Sequence, residues 1–275
     1  MRVASIQMYA NSAPLRQATD ELWAFVRDQL RANGLDGVPD GLSRDVTYHD
    51  AWLNPDLLLS QTCGYPYVLR LQNRVRLVAT PEYGHPGCSG PDMRSFVVVR
   101  DESRLNTVED AKGKRVAINQ PESNSGYNLL RALIAPHSDE GRFFSSVLHT
   151  GSHDASLTAV RNGDVDLAAI DCITFGNIAR FDPNSIDGIR ILAETPAGPG
   201  LPFITRSGAS DEEVALLRDA LSAAIASPTL ANARNTMSLK DFHLLDDDDY
   251  ARLRSLEVGA ARLGYPQIDG PKSFA

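Results

Sequence analysis

The sequence has no long apolar run, few cysteines and no excess of positive charge. A helix needs about 20 consecutive apolar residues to cross a bilayer, and no stretch reaches that length, which predicts a chain without a membrane span. Lysine and arginine together number 27 against 35 acidic residues, so the net charge is -8 at pH 7. Nucleic-acid-binding surfaces are usually basic, and we therefore expect no nucleic-acid partner.

The three cysteines are Cys63, Cys88 and Cys172. Cys63 and Cys88 each follow an apolar run and stand beside a glycine, so a disulfide between them is one hypothesis. Three buried free thiols are the alternative, because free cysteine is often buried. The first residues, MRVASIQMYAN, lack the basic and apolar regions of a secretion signal. The chain is therefore expected either to be cytoplasmic or to have had its signal removed.

Apolar runs of strand length alternate with segments of helical periodicity along most of the chain. An apolar stripe predicts a helix over residues 15–32. Strands are expected near residues 3–8, 46–49, 57–59, 75–80 and 96–100. The alternation of strands and helices then starts again, with strands expected near 115–119, 147–149, 165–170 and 190–193. Two helices without strands of their own, near 211–226 and 247–263, close the chain. Alternation of this kind is typical of parallel α/β sheets.

The restart near residue 100 predicts an α/β protein with two lobes, each built on a parallel-rich sheet with flanking helices. Residues 1–97 and 197–275 are expected to form a discontinuous lobe 1, and residues 98–196 lobe 2. Two crossover segments would join the lobes. The second is rich in proline and glycine, as suits an irregular connection. We expect a monomer.

Polar residues follow the predicted strands at their carboxyl ends, which is where ligands bind in open parallel α/β sheets. Predicted helices start directly after three of these polar segments, and the first N–H groups of a helix favour an anion. Because these polar segments are expected to lie close together, the sequence predicts a small-oxyanion site in the cleft between the lobes. The candidate ligand-binding residues are Tyr9, Gln61, Thr62, Ser123, Asn124, Ser125, Gly126, His153 and Asp171.

Each candidate also has an ordinary structural interpretation. Small hydroxyl residues at Ser123–Gly126 and at Ser152 fit simple helix capping. Gly126 would let the backbone approach a ligand, and His153 would donate a hydrogen bond to an oxyanion from the first turn of its helix. Asp171 would accept a ligand proton or pair with a cationic group on the ligand, although a structural partner explains a carboxylate there equally well.

Metal and cofactor sites find little support in the sequence. His149 and His153 are four residues apart, but Gly151 interrupts any shared helix face. The glycine-rich nucleotide-binding loops and the nucleophile-elbow motif of hydrolases are also missing. We therefore expect no metal, no cofactor and no catalytic residue, and the spacing of serine, histidine and aspartate does not favour a hydrolytic triad over binding.

The stretch TGSHDASL at 150–157, followed by GDVDLAAID at 163–171, resembles the phosphate, phosphite and phosphonate-binding proteins of ABC transporters. LLSQTCGYP at 58–66 and Gly87-Cys88 are similar to one branch of that family. The resemblance implies a type II periplasmic binding protein fold and a periplasmic location. It also implies that Ser123, Ser125, Gly126 and His153 hold a phosphonate-type group. Asp171 would take the acidic position, and Tyr9 and Thr62 the first-lobe side.

Two functions remain open at this stage. The first is a solute-binding protein that captures a phosphonate, phosphite or phosphate for an ABC permease or a sensor. The alternative is a cytoplasmic enzyme on the same fold that acts on a small anionic metabolite, with His153 and Asp171 as acid and base candidates. The missing secretion signal favours the enzyme or a cytoplasmic sensor, whereas the resemblance favours the binding protein.

Overall fold

The computed structural model describes residues 2–268 of the chain. Its internal contacts divide the chain into two compact units. Unit 1 takes the chain up to Gly84 together with Ser89–Pro91 and Pro199–Tyr250. Unit 2 takes His85–Cys88, Asp92–Gly198 and, of the described residues after Tyr250, those numbered 251–268. The lobe boundaries expected from the sequence remain a prediction.

Unit 1 is built on a five-stranded mixed sheet with helices around it. Its strands are β1 (Val3–Ser5), β2 (Leu57–Gln61), β3 (Val75–Tyr83), β11 (Phe203–Arg206) and β12 (Leu239–His243). Its helices are α1 (Ala13–Ala32), α2 (Tyr48–Trp52), α3 (Gly64–Pro66) with the π-helical turn Tyr67–Leu71, α7 (Asp211–Ala226) and α8 (Ala231–Met237). The strand order is β1-β2-β11-β3-β12, in which β1 and β2 are parallel while β11 and β12 run antiparallel to their neighbours.

Unit 2 is built on a second five-stranded sheet. Its strands are β5 (Ser95–Arg100), β6 (Arg115–Ile118), β7 (Ser146–His149), β8 (Leu167–Asp171) and β9 (Ile189–Glu194). Its helices are α4 (Leu129–Ile134), preceded by the π-helical turn Asn124–Asn128, then α5 (His153–Asn162) and α6 (Cys172–Phe181). The order is β7-β6-β8-β5-β9; β6, β7 and β8 are parallel, and β5 is antiparallel to β8 and β9.

Three further elements lie at or beside the points where the chain passes between the units. They are the short strands β4 (Asp92–Met93) and β10 (Gly198–Pro199) and the last helix, α9 (Asp247–Arg262).

Buried apolar strands and helix faces drive the folding of each unit. Every residue of β2 and β8 is buried, as expected for strands covered on both faces. Helix α1 buries one apolar face through Leu15, Leu22, Val26 and Leu30. At about 25 cal/mol per Å² of apolar surface removed from water, such faces supply the main driving force for each unit.

Several expectations about individual elements were wrong. Residues 46–49 were expected to form a strand, but helix α2 begins at Tyr48, and the Thr47 side chain caps it by accepting the Asp50 N–H at 3.2 Å. The closing region was expected to hold helices alone, yet it contributes β11 and β12 to the first sheet. Because both strands pair antiparallel, that sheet is mixed rather than parallel-rich.

The last helix also departs from expectation. The sequence placed all of it in lobe 1, whereas the structure assigns the chain from Ala251 onward to unit 2. The physical reason is its packing: Ala260, Tyr265 and Ile268 belong to the core of unit 2. In addition, the Asn128 side chain donates to the Leu253 carbonyl at 3.1 Å.

No single helix within residues 2–268 is both long and apolar enough to cross a membrane. One pair of helices, Asp211–Ala226 and Pro228–Met237, bent by 71°, passes that test together by length and composition alone.

Candidate functional site

The candidate polar residues of unit 2 lie along one edge of its sheet. The parallel strands β6, β7 and β8 all end there, and antiparallel β5 begins there, with Ser95 paired to Asp171. The loops that follow β6 and β7 open the helical segments at Asn124 and His153. This arrangement brings Ser125, His153 and the helix starts into one region.

The first helical start is a π-helical turn that continues directly into α4. Ser123 is its N-cap, and the Ser123 hydroxyl accepts the Gly126 N–H at 3.0 Å. Asn124 is 2% exposed, and its Oδ1 accepts from Asn128 at 3.2 Å. The Asn124 Nδ2 is buried and has no hydrogen-bond partner among the residues that the structure describes. An unsatisfied buried donor is costly, which makes this atom a candidate for binding an anion.

The second helical start supplies His153. Ser152 caps helix α5 by accepting the Ala155 N–H at 3.1 Å. The His153 Nε2 lies 2.9 Å from the Ser125 hydroxyl, so the two helical starts are joined by a side-chain hydrogen bond. Ser95 also fixes the loop that carries Ser125, because the Ser95 hydroxyl donates to the Ser125 carbonyl at 2.8 Å. Ser125 is therefore held at two points: its hydroxyl contacts His153, and its backbone carbonyl accepts from Ser95.

The electrostatics of His153 favour a neutral ring in the ligand-free protein. The residue as a whole is partly exposed, but its Nδ1 is buried. Burial lowers the pKa of His153 to about 4, against the opposing effect of the Ala169 backbone. A bound anion would raise this pKa, because a nearby negative charge favours the protonated ring.

Gly126 has a packing role that the sequence analysis did not anticipate. A Cβ at this position would lie 2.5 Å from Cγ of Asn119, so the missing side chain makes room for the Asn119 amide. That amide is part of a polar network: Asn119 Oδ1 accepts from Ser156 at 3.2 Å, and Ser156 contacts Thr150 at 2.6 Å. The glycine thus supports the loop by close packing, and its approach to a ligand remains a prediction.

Asp171 ends strand β8 and is 2% exposed. Its carboxylate caps helix α6 by accepting the N–H groups of Ile173 at 2.9 Å and Thr174 at 3.0 Å. Both bonds use Oδ1. The structure therefore gives this carboxylate the structural partner that the sequence analysis considered, and its contact with a ligand remains a prediction.

The remaining candidates lie in unit 1. Tyr9 makes an edge-to-face contact with Tyr83, with ring centroids 5.4 Å apart. Gln61 donates from Nε2 to the Leu201 carbonyl at 3.1 Å, and the Thr62 hydroxyl donates to the Cys63 carbonyl at 3.3 Å. Both polar side chains thus have backbone partners, and their role toward a ligand stays a prediction.

The cysteines do not pair as the disulfide hypothesis proposed. Cys63, Cys88 and Cys172 are all free thiols, and Cys63 and Cys88 are not bonded. The sulfur near Cys88 is that of Cys172, at 3.6 Å. The sequence did not indicate the contact between Cys88 and Cys172, because the two residues are 84 positions apart and meet only when strand β8 and helix α6 form.

A comparison with known families decides what kind of protein this is. The model of one family matches residues 52–250, and that family is described as the periplasmic substrate-binding protein of a phosphonate ABC transporter. The match spans well over half of the chain. The chain belongs to this phosphonate-binding family.

Solved structures similar to this chain share its fold. A binding protein component of an ABC phosphonate transporter from Pseudomonas aeruginosa is 20% identical, with a TM-score of 0.72 over 95% of this chain and 87% of that one. PhnD1 from Prochlorococcus marinus, solved with methylphosphonate, is 16% identical, with a TM-score of 0.71 over 96% and 99% of the two chains. XAC2383 from Xanthomonas citri, bound to ATP, is 18% identical, with a TM-score of 0.70 over 95% and 97%.

These comparisons confirm the expected fold class and the resemblance to the phosphonate-binding family. The family match also confirms the leading function, a substrate-binding protein, over the alternative of an enzyme, because the family is one of substrate-binding proteins. The family implies a small-molecule ligand and a permease partner.

Two supporting residues of the unit 2 site were missed by the sequence analysis. Ser95 opens strand β5, and only the carboxyl ends of strands had been searched for polar residues. Thr195 follows β9, and its hydroxyl accepts the Ser95 N–H at 2.9 Å. A prediction that β5 runs antiparallel to its neighbours would have pointed to Ser95, because the start of an antiparallel strand lies beside the ends of parallel ones.

Proposed function

We propose that this protein captures a phosphonate-type oxyanion on unit 2 and presents it to an ABC permease. The observation that carries the proposal is the 2.9 Å contact between Ser125 and His153, made at the starts of two helical segments. Helix starts favour anions through their N–H groups and dipole, and hydroxyl and imidazole groups supply further donors.

The donor set fits a tetrahedral anion better than a carboxylate. Asn124 Nδ2 and the hydrogen-bonded pair of Ser125 and His153 come from different side chains, so their bonds to a ligand need not lie in one plane. The strongly acidic net charge of the chain does not oppose this, because binding rests on local dipoles and neutral donors. The proposed ligand class is phosphonate, phosphite or phosphate.

A thermal-shift screen tests the ligand class. The purified protein is heated alone and with phosphate, phosphite, methylphosphonate, 2-aminoethylphosphonate or sulfate. A ligand at a hundred times its Kd stabilises the folded state by about 2.7 kcal/mol. For a chain of this size, that corresponds to a rise in Tm of roughly 5–10 °C. We expect this rise with at least one phosphorus oxyanion.

A matched variant separates site binding from general salt effects. Ser138→Ala also removes one hydroxyl in unit 2, but that hydroxyl donates to the nearby Ala135 carbonyl at 2.9 Å, away from the helical starts. The Tm rise should persist in Ser138→Ala and should fall to about half or less in Ser125→Ala, because roughly tenfold weaker binding leaves the ligand at only about ten times its Kd. An equal rise in both variants, or no rise with any of the five anions, argues against the proposal.

A further inference from the structure

Two thiols of unit 2 lie close enough to react with each other. Cys88 Sγ is 3.6 Å from Cys172 Sγ. Cys172 is fully buried, whereas Cys88 is partly exposed. A disulfide bond is about 2.0 Å long, so closing this gap requires the sulfurs to approach by roughly 1.6 Å. Rotation about the Cα–Cβ bond of each cysteine moves its sulfur, so side-chain motion brings the two sulfurs closer.

The backbone around both thiols is held in place. Gly87 has a φ of +90°, and a Cβ there would lie 2.8 Å from Cβ of Cys172. The backbone just before Cys88 therefore packs directly against Cys172. The Cys88 N–H donates to the His85 carbonyl at 3.1 Å, and the Cys172 N–H donates to the Arg94 carbonyl at 3.1 Å. His85 is itself fixed by a hydrogen bond to Asn177 at 3.0 Å.

We propose that Cys88 and Cys172 are a redox pair that forms a disulfide by exchange with a small disulfide oxidant such as oxidised glutathione. The Cys88 thiol loses its proton and attacks one glutathione sulfur, forming a mixed disulfide and releasing one glutathione thiolate. The Cys172 thiol then loses its proton and attacks the Cys88 sulfur, releasing the second glutathione. Two protein thiols are oxidised and one glutathione disulfide is reduced to two thiols.

The order of attack follows from exposure. Cys88 is the more accessible thiol, and the pKa of Cys172 is raised by its hydrogen bond to Cys88 and by burial. The thiolate is the reactive form of cysteine, so Cys88 reacts with the oxidant first. Cys172 then acts as the resolving thiol, since it already lies beside the sulfur that it must attack.

The bond would stabilise the part of unit 2 that carries the proposed anion site. The loop that it closes runs from residue 88 to 172 and contains Ser95, Ser125, His153 and Asp171. It would also tie the segment His85–Cys88, which lies between two segments of unit 1, to the start of helix α6. Closing a loop of this length limits the freedom of the unfolded chain.

The test compares the full chain with Cys63→Ser and Cys88→Ser after treatment with oxidised glutathione. The wild-type protein and Cys63→Ser should each lose the mass of two hydrogen atoms, and peptide mapping should join the peptides of Cys88 and Cys172. Free thiols, counted after unfolding, should fall from three to one in the wild type. The Tm of both proteins should rise by roughly 5–10 °C and return after reduction with dithiothreitol.

Cys88→Ser should form no internal disulfide and should show no such rise in Tm. This variant is the informative one because Cys88 is partly exposed, whereas replacing fully buried Cys172 risks misfolding. The proposal is overturned if no internal disulfide forms in the wild type, or if the bond that forms contains Cys63.

Discussion

At the scale of single residues, the central feature is the pairing of a neutral histidine with a serine hydroxyl. His153 and Ser125 are 28 positions apart in the chain, and their contact at 2.9 Å depends on two helical segments starting at the same sheet edge. Burial keeps the imidazole neutral at pH 7 by lowering its pKa to about 4. An anion placed beside it would raise that pKa again, because opposite charge favours the protonated ring.

His153 should make the folded protein sensitive to acid. Its pKa is about 4 in the folded state and near 6.5 when unfolded, so protons bind the unfolded chain more readily. The resulting stability is fully present above pH 6.5 and is lost as the pH falls toward 4. We expect the free energy of unfolding of His153→Gln, measured by urea titration, to decline less than that of the wild type across this window.

The same comparison controls for other groups. Burial also lowers the pKa of His85, but that residue is present in both proteins, so its contribution cancels. Parallel pH profiles for the wild type and His153→Gln would contradict the assignment of a neutral, buried imidazole at this position.

At the scale of elements, the helical start at Asn124 depends on a glycine that makes room for an asparagine. The Asn119 side chain occupies the space where a Cβ of Gly126 would lie. It also accepts from Ser156 of helix α5, so the loop after β6 and the helix after β7 share one polar network. Packing at Gly126 therefore positions both helical starts that form the candidate site.

Gly126→Ala should destabilise the protein by roughly 1–3 kcal/mol, because the added methyl group overpacks a filled space. Gly259→Ala is the matched control: it lies in helix α9 with nothing within 4 Å of the new Cβ, so it should stabilise by about 0.5–1 kcal/mol. Chemical denaturation of both variants measures the difference. Equal effects of the two substitutions would show that Asn119 yields easily and that the loop is not held in this way.

The sequence predicted the strands around the candidate site better than the contacts within it. Strands that read as continuous apolar runs, such as LAAID at 167–171, were found because a buried parallel strand has no polar alternation to obscure it. The strand FITR at 203–206 was missed because it is short and follows a segment rich in proline and glycine. The sequence also did not indicate that strand β5 runs antiparallel to its neighbours, which is why Ser95 was overlooked.

At the scale of the whole molecule, the two units share a general plan but use the late part of the chain differently. Strands β11 and β12 complete the sheet of unit 1, while the chain after Ala251 completes the core of unit 2. Apolar periodicity indicates that a segment is buried, but it does not say against which core it packs. For that reason the alternation of elements predicted the fold class, whereas it did not indicate which core the end of the last helix packs against.

Isothermal titration calorimetry with methylphosphonate tests the central claim, that unit 2 holds an oxyanion between the helical starts at Asn124 and His153. The wild type should bind one equivalent saturably. Ser125→Ala should bind at least roughly tenfold more weakly, because a hydrogen bond to a charged group contributes about 1.5–3 kcal/mol. Ser138→Ala should retain wild-type affinity. The account is contradicted if methylphosphonate, phosphite and phosphate all fail to bind, or if Ser125→Ala binds as tightly as Ser138→Ala.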